Sequence, residues 1–179
     1  EAAQRYFTLA QSFFDRAPPR LVAIGGLSGT GKSVQARRLA PALGPAPGAV
    51  VLRSDVVRKR LAGVDFTTRL GSDGYAPAVT AQVYAQLAEN ARIALAAGHS
   101  VIIDAVCARA SERDALHGVA RALGVPFAGI WLEAPVAVRV GRVEGRRGDA
   151  SDATRDVAQQ QEAFDVGDVL WHRIAASGT

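Results

Sequence analysis

The chain is poor in several residue types, and each shortage narrows what the protein can be. Its 179 residues include no methionine and a single cysteine, Cys107. A single cysteine cannot form an internal disulfide, so the sequence gives no sign of an oxidising compartment. No apolar run approaches the ~18 residues that a membrane span requires, and residues 1–16 are amphipathic rather than signal-like. We therefore predict a cytoplasmic protein with no membrane-spanning segment.

Lysine is the next shortage, because Lys32 and Lys59 are the two lysines among 21 basic residues, which leaves nineteen arginines. The formal charge of +4 and the pI near 9.8 favour a partner that carries phosphates, either a nucleotide or a nucleic acid. The hydrophobic fraction of 49% and the charged fraction of 21% are ordinary for a soluble globular protein. This length suffices for one domain with a proper core.

Short apolar runs alternate with helical patterns along the chain. Buried strands are predicted at residues 21–26, 49–53, 100–106 and 126–134, with a last strand in 170–176. Helices are predicted at 3–16, 34–43, 54–61 with Ser54 as N-cap, 76–97, from Ser111, 136–147 and 154–164. Residues 63–75 are predicted to form a loop, and "RRGDASDAT" at 146–154 a polar break.

This alternation predicts an α/β domain around a five-stranded, mostly parallel sheet with helices on both faces. We assign residues 17–179 to that domain. We expect residues 1–16 to be an N-terminal helix or a linker from a preceding region.

The segment "GLSGTGKS", residues 26–33, lies between the first predicted strand and a helix and matches G-x-x-x-x-G-K-[ST]. In such a loop, glycines let backbone N–H groups surround phosphate oxygens, and the next helix points its positive end at them. The lysine reaches the β- and γ-phosphates, and the serine hydroxyl ligates Mg²⁺. The motif predicts a P-loop NTPase fold with ATP and Mg²⁺ as cofactors. The predicted nucleotide-binding residues are Gly26, Ser28, Gly29, Thr30, Gly31, Lys32, Ser33 and Val34.

Other nucleotide-binding classes fit the sequence less well. The glycine spacing does not match the GxGxxG of a dinucleotide-binding fold. A switch GTPase reads guanine through Asn-Lys-x-Asp, whereas the one asparagine, Asn90, lies within a predicted helix. An ABC or AAA+ motor would have adjacent acidic residues after an apolar strand, whereas the third strand ends in a single Asp104. A small phosphotransferase remains.

Three residues after the second and third strands are candidates for the acceptor site. Asp55 and Arg58 are three residues apart at the start of a helix and share one side of it. Asp55 could accept the proton of an attacking hydroxyl, and Arg58 could bind an anionic group of the acceptor. Asp104 could hold a metal-bound water or orient the acceptor. The structural alternatives are that Asp55 favours the helix N-terminus, Arg58 is solvated and Asp104 caps a turn.

An arginine stripe follows the fourth strand, with Arg139, Arg142 and Arg146 at positions i, i+3 and i+7 of a helix. Arginines that close over a transferring phosphoryl group stabilise its charge, so we predict Arg142 and Arg146 as a catalytic pair on a lid. A solvated basic face is the alternative. We expect Arg109 and Arg113 to lie on the surface, and Cys107 to be a small buried residue.

In this order and spacing, "GLSGTGKS", "SDVVRKRL", "VIIDAV" and the arginine-rich lid resemble the small P-loop kinases grouped with polynucleotide kinase and zeta toxin. The likeness is closest to the predicted kinase domain fused behind an aminoglycoside-phosphotransferase-like domain in bacterial proteins, and it covers residues 17–179. It implies a covalently linked upstream domain, Asp55 as general base and Arg58 as ligand of the acceptor phosphate. After Asp104, residues 105–107 read Ala-Val-Cys where polynucleotide kinases often have Thr or Asn.

The sequence thus predicts a phosphotransferase that moves the γ-phosphoryl group of ATP to an acceptor hydroxyl. The acceptor is either a polynucleotide 5′-hydroxyl or a small molecule such as a sugar or nucleotide sugar. A groove lined by Arg53, Arg58 and Arg60 would favour the polynucleotide. A third possibility is a nucleotide-binding regulatory module with slow ATPase activity.

Overall fold

The computed structural model describes residues 1–12, 14, 17–145 and 148–177 and contains a five-stranded parallel sheet. The strands are β1 (Leu21–Gly25), β2 (Val50–Arg53), β3 (Val101–Asp104), β4 (Phe127–Glu133) and β5 (His172–Ala175). Their order in the sheet is β2-β3-β1-β4-β5, and every neighbouring pair is parallel. The predicted α/β class is confirmed, and the sheet is wholly rather than mostly parallel.

Seven α-helices are found in the described part of the chain. They are α1 (Ala2–Ser12), α2 (Lys32–Leu39), α3 (Ser54–Leu61), α4 (Pro77–Ala96), α5 (Ala110–Leu123), α6 (Val136–Glu144) and α7 (Arg155–Gln160). Short 3₁₀ turns occupy Ala40–Ala42, Ser72–Tyr75 and Gln161–Ala163. Pro41 explains why α2 ends earlier than predicted, since proline disfavours continuation of the α-helix. The prediction of Ser54 as N-cap is wrong: Ser54 is the first helical residue, and Arg53 precedes it in extended conformation.

The core lies on both faces of the central strands. Alternate residues of β1 point to opposite faces, so Leu21 and Ala23 join a cluster with α4 and α5, while Val22 and Ile24 join one with α2. Strands β1 and β3 are buried along their whole length. Burial on both faces explains why these strands are continuous apolar runs in the sequence.

The second strand differs from the prediction of a buried strand. β2 lies at one edge of the sheet, and Val50 is 37% exposed. Its apolar sequence was typical of a central strand, but only one of its sides has a strand neighbour. None of the helices in the described ranges is both long and apolar enough to cross a membrane.

The strand register brings the predicted site residues to one end of the sheet. Asp104 is paired with Ile24 of β1 on one side and with Arg53 of β2 on the other. The P-loop follows β1 directly, and α3 follows β2 directly. The carboxyl ends of parallel strands form the usual ligand crevice of such sheets, and the candidate site lies there.

Candidate active site

The P-loop adopts a conformation that glycine allows. Gly29 has φ +88°, and a Cβ added there would lie 2.4 Å from the carbonyl oxygen of Arg139 in α6. Gly31 has φ +95° and immediately precedes α2. Both positions therefore exclude ordinary side chains, the first through close packing and the second through its left-handed backbone.

The loop presents donors suited to phosphate. The backbone N–H groups of Gly29, Gly31 and Ser33 make no backbone hydrogen bond within the described residues. Donors of this kind at a helix N-terminus attract anions, and the helix dipole adds to the effect. The side chain of Val34 is exposed, and its N–H donates to Gly31 O at 3.0 Å, so this N–H is already engaged.

Lys32 folds back over the loop that it belongs to. Its Nζ donates to the carbonyl oxygens of Gly26 at 2.7 Å and Leu27 at 3.0 Å. Thr30 Oγ1 donates to the same Leu27 carbonyl at 2.8 Å. The two bonds of Lys32 hold its ammonium against the first two residues of the loop.

Asp55 is half-buried near the start of α3, within electrostatic range of Lys32. Burial raises the pKa of its carboxyl above the ordinary value, and the nearby Asp104 adds to this rise. Lys32, Arg53 and a hydrogen bond from Ser151 act in the opposite direction, because they favour the ionised form. A carboxyl with a raised pKa next to a phosphate-binding lysine is suited to accept a proton.

Asp104 is buried at the end of β3 and is held by Arg53. Arg53 Nε lies 3.1 Å from Asp104 Oδ2, and Arg53 Nη2 lies 2.6 Å from Asp149 Oδ1. This arginine therefore joins the ends of β2 and β3 to the segment that follows the lid. It fixes the orientation of the Asp104 carboxylate beside Asp55.

Arg58 is buried rather than solvated, with 6% of its surface exposed. Its Nη1 donates to Gly74 O at 2.7 Å and to Thr80 Oγ1 at 3.3 Å. The guanidinium also stacks on the ring of Tyr75, 4.6 Å from the ring centroid. Its Nε has no hydrogen-bond partner among the described residues. A buried guanidinium with an unused Nε–H donor has the chemistry to bind an anionic group.

The second lysine of the chain lies in the same region and is also buried. Lys59 Nζ lies 2.8 Å from Asp152 Oδ1, and Asp152 Oδ2 accepts hydrogen bonds from Leu70 N at 3.0 Å and Tyr75 Oη at 2.9 Å. Burial opposes ionisation of Asp152, but these bonds outweigh it and lower the pKa of its carboxyl. One carboxylate thus fastens α3 and the loop at 63–75 to the segment after the lid.

The predicted lid arginines have different environments. Arg139 is completely buried and donates to Ser28 O at 3.2 Å, so the description of this residue as part of a solvated face is wrong. Arg142 Nη1 donates to Ala176 O at 2.8 Å and lies 3.5 Å from Gly29 O. Arg142 therefore contacts the P-loop at Gly29. Arg146 lies outside the described residues.

Two further expectations meet different outcomes. Arg113 was expected at the surface, but it is buried and donates to the carbonyl oxygens of Cys107, Ala108, Val166 and Asp168. It ties the loop after β3 to the segment before β5. Cys107 is fully buried as predicted, and burial raises the pKa of its thiol to about 12, so it remains protonated.

The donor set fits magnesium bound together with a nucleotide. Within the described ranges no group of three or more His, Cys, Asp or Glu side chains could hold a metal ion by itself. Mg²⁺ in phosphoryl-transfer sites takes one or two protein oxygens, with phosphate oxygens and waters completing its shell. Ser33 and Asp104 are of the right chemical type for that limited role.

Sequence reasoning missed the contribution of residues 149–152. That stretch was predicted to be a polar break, yet Asp149 contacts Arg53, Ser151 bonds to Asp55 and Asp152 contacts Lys59. The density of Asp and Ser immediately after an arginine-rich helix was the available signal. These side chains make the segment a wall of the site.

The chain matches the protein family described as an AAA domain over residues 21–165. It is 33% identical, over 98% of its length, to uncharacterized proteins of Mycobacterium bovis and Mycobacterium tuberculosis, and it spans 35% of their length. It is 31% identical to the adenylyl-sulfate kinase of Myxococcus xanthus, with 82% of this chain and 78% of that enzyme covered. The family description shares its name with the AAA+ motors; our expectation that the chain is not such a motor stays a prediction.

Solved structures of kinases share the fold. The APS kinase of Mycobacterium tuberculosis, solved with AMPPNP and APS, superposes with a TM-score of 0.64 at 22% identity, covering 90% of this chain and 91% of that one. A gluconokinase of Sinorhizobium meliloti superposes with a TM-score of 0.58 at 22% identity, covering 92% of this chain and 86% of that one. At these identities the likeness concerns the fold.

Proposed function

The chain belongs to this AAA-domain family of P-loop proteins, and from that premise we propose that it is a phosphotransferase that moves the γ-phosphoryl group of ATP to an acceptor hydroxyl. One observation carries the proposal: the half-buried Asp55 carboxyl, with its raised pKa, lies within electrostatic range of the P-loop Lys32. A nucleotide-binding loop alone would not require such a carboxyl. Phosphoryl transfer to a hydroxyl does, because the acceptor must lose a proton.

In this proposal each predicted site residue has a separate role. Lys32 and the loop N–H groups bind and orient the triphosphate, and Asp55 takes the proton from the acceptor hydroxyl. Ser33 and Asp104 would hold Mg²⁺ together with the phosphates, and the bound ion would neutralise charge on the transferring group. Arg58 binds the acceptor, and Arg142 and Arg146 are the lid arginines that stabilise charge on the transferring phosphoryl group.

We favour a small anionic acceptor over a polynucleotide. Of the three arginines expected to line a nucleic-acid groove, Arg53 is paired with two carboxylates and Arg58 is buried, while Arg60 remains exposed. The loop that contacts Arg58 is fastened by Asp152, which does not favour an open groove for a long strand. Two kinases to which this chain is similar are named for adenylyl sulfate and gluconate, both small anions.

The test is phosphoryl transfer from γ-labelled ATP with Mg²⁺ to a panel of acceptors: adenylyl sulfate, gluconate, other sugars and nucleotide sugars, and 5′-hydroxyl DNA and RNA oligonucleotides. We expect label on a small acceptor. Lys32→Ala and Asp55→Asn should each remove transfer, and circular dichroism should show that the fold is intact. Undiminished turnover in Lys32→Ala would contradict the proposal.

The other outcomes separate the alternatives. Label on the oligonucleotides, lost in Asp55→Asn and suppressed by salt, would establish a polynucleotide kinase. Binding of ATP without transfer to any acceptor would favour the regulatory module. The assignment of residues 1–16 to a helix or linker joining the kinase domain to a preceding region stays a prediction.

A further inference from the structure

The third residue of the P-loop, Ser28, is held at both ends of its backbone by distant side chains. Its N–H donates to Gln161 Oε1 at 2.7 Å, and its carbonyl oxygen accepts from Arg139 Nη1 at 3.2 Å. Both partners are buried, Arg139 completely and Gln161 with 7% of its surface exposed. These two side chains are more than a hundred residues away from Ser28 in the sequence, so tertiary packing makes the contacts and a local turn does not.

The contact with the carbonyl fixes the direction of the next N–H. The Ser28 C=O and the Gly29 N–H belong to one trans peptide, so they point in opposite directions. Arg139 therefore holds the Gly29 N–H turned away from its own guanidinium. Gly29 N–H makes no backbone hydrogen bond among the described residues, so it can donate to a phosphate oxygen.

Arg139 and Gln161 are themselves linked. Arg139 Nη2 donates to Glu162 Oε1, and Glu162 follows Gln161 in the 3₁₀ turn after α7. A closed ring of contacts results, running from Ser28 through Arg139, Glu162 and Gln161 back to Ser28. This ring joins the P-loop to α6 and to the turn after α7.

We propose that Arg139 and Gln161 are positioning residues of the nucleotide site, which keep the Ser28–Gly29 peptide oriented for the phosphate chain without touching the nucleotide themselves. The inference rests on the proposed function in that the loop binds ATP. Donors fixed in advance bind an anion more tightly than donors that must be ordered on binding. The packing of α6 and α7 thereby sets the phosphate affinity of the loop.

The test measures nucleotide binding by isothermal titration calorimetry, with AMPPNP and Mg²⁺ as probe and AMP for comparison. Gln161→Leu removes the acceptor for Ser28 N–H at similar volume, and Gln159→Leu is the matched control at an exposed position of α7. We expect Gln161→Leu to weaken AMPPNP binding about tenfold, the size of effect of one buried hydrogen bond. Because AMP offers the loop a single phosphate, its affinity should fall less.

A second variant protects the test against a folding defect in Gln161→Leu. Glu162 is 53% exposed, so Glu162→Gln weakens the hold on Arg139 at a site where the fold tolerates change. The matched control is Glu144→Gln, at a carboxylate that is 52% exposed. We expect Glu162→Gln to weaken AMPPNP binding more than AMP binding, with an unchanged melting temperature in the absence of nucleotide.

Three results have distinct meanings. A wild-type protein that fails to bind AMPPNP would overturn the proposed function. Wild-type binding that Gln161→Leu and Glu162→Gln leave at the level of their controls would overturn the positioning role alone. An equal loss for AMP and AMPPNP would also overturn it, because it would indicate a general loosening of the pocket.

Discussion

Lys59 Nζ lies 2.8 Å from Asp152 Oδ1 in a contact where the two side chains are 1% and 7% exposed. The pair joins α3, which carries Asp55 and Arg58, to the segment that follows the arginine helix. Asp152 also accepts hydrogen bonds from Leu70 N and Tyr75 Oη, so the same carboxylate holds the loop at 63–75. In an arginine-rich chain, a lysine fits here because a compact ammonium meets a buried carboxylate in little space.

Removing the lysine should destabilise the fold strongly. Lys59→Met keeps an unbranched apolar stem but leaves Asp152 buried without its cation, and breaking such a pair costs about 3–5 kcal/mol. Urea unfolding should therefore show a loss of about 3 kcal/mol. Arg60→Met, at the exposed next position, should change stability by less than about 0.5 kcal/mol. A similar small loss for both variants would show that the pair contributes nothing.

The contribution of the Asp152 carboxylate to stability should depend on pH. Because the pKa of Asp152 is lowered in the folded protein, its ionised form contributes stability above the unfolded pKa of about 3.9. That contribution is lost as the pH falls through the lowered pKa. The gap in unfolding free energy between wild type and Asp152→Asn should be widest near neutral pH and should close in acid. The exposed Asp65→Asn serves as control, and a gap that is independent of pH would contradict the assignment.

Much of the fold was readable because it rests on local signals. Continuous apolar runs marked the strands, and the run 100–106 contains the buried β3. The P-loop motif carries its own geometry, since Gly29 and Gly31 adopt the left-handed backbone that the motif requires. The prediction that β2 is buried was wrong, because an apolar strand at a sheet edge has the same sequence pattern as a central strand.

Only part of the site could be predicted from the sequence, because the rest of it is formed by long-range contacts. Asp149, Ser151 and Asp152 carry no periodicity, and they become part of the site through partners about a hundred residues earlier. Arg139 lies on the same helical stripe as Arg142, yet Arg139 is completely buried and Arg142 is partly exposed. Helical spacing places residues on one face, but tertiary packing decides which of them meets solvent.

Arg58→Lys should weaken binding of the acceptor and leave binding of ATP nearly unchanged. Lysine lacks the planar fork that stacks on Tyr75 and donates to Gly74 O, so the loop over the acceptor site loses its support. We expect the KM for the acceptor found in the panel to rise about tenfold, while the KM for ATP stays within about twofold. Arg60→Lys, at an exposed position of the same helix, is the control. Equal effects on both KM values would argue against a specific role of Arg58 at the acceptor site.

The hydrogen bond from Ser151 should lower the pKa of Asp55, the proposed base, so its removal should shift the pH profile to higher pH. Burial raises the pKa of Asp55, so the acidic limb of kcat/KM should lie above the value of about 3.9 for an ordinary aspartate. The hydrogen bond from Ser151 favours the ionised carboxyl, as do Lys32 and Arg53, whereas Asp104 disfavours it. Ser151→Ala removes the hydrogen bond, and the pKa of Asp55 should rise further.

The acidic limb should therefore move to higher pH in Ser151→Ala, while kcat/KM on the plateau above it changes little, because ionised Asp55 is then fully present. The N–H of Ser151, which donates to Asp149 Oδ1 at 3.0 Å, is kept in the variant. Ser111→Ala, at an exposed position of α5, should leave the profile unchanged. Since an active base must be ionised, a shift of the limb to lower pH in Ser151→Ala would show that the group titrating there is not Asp55.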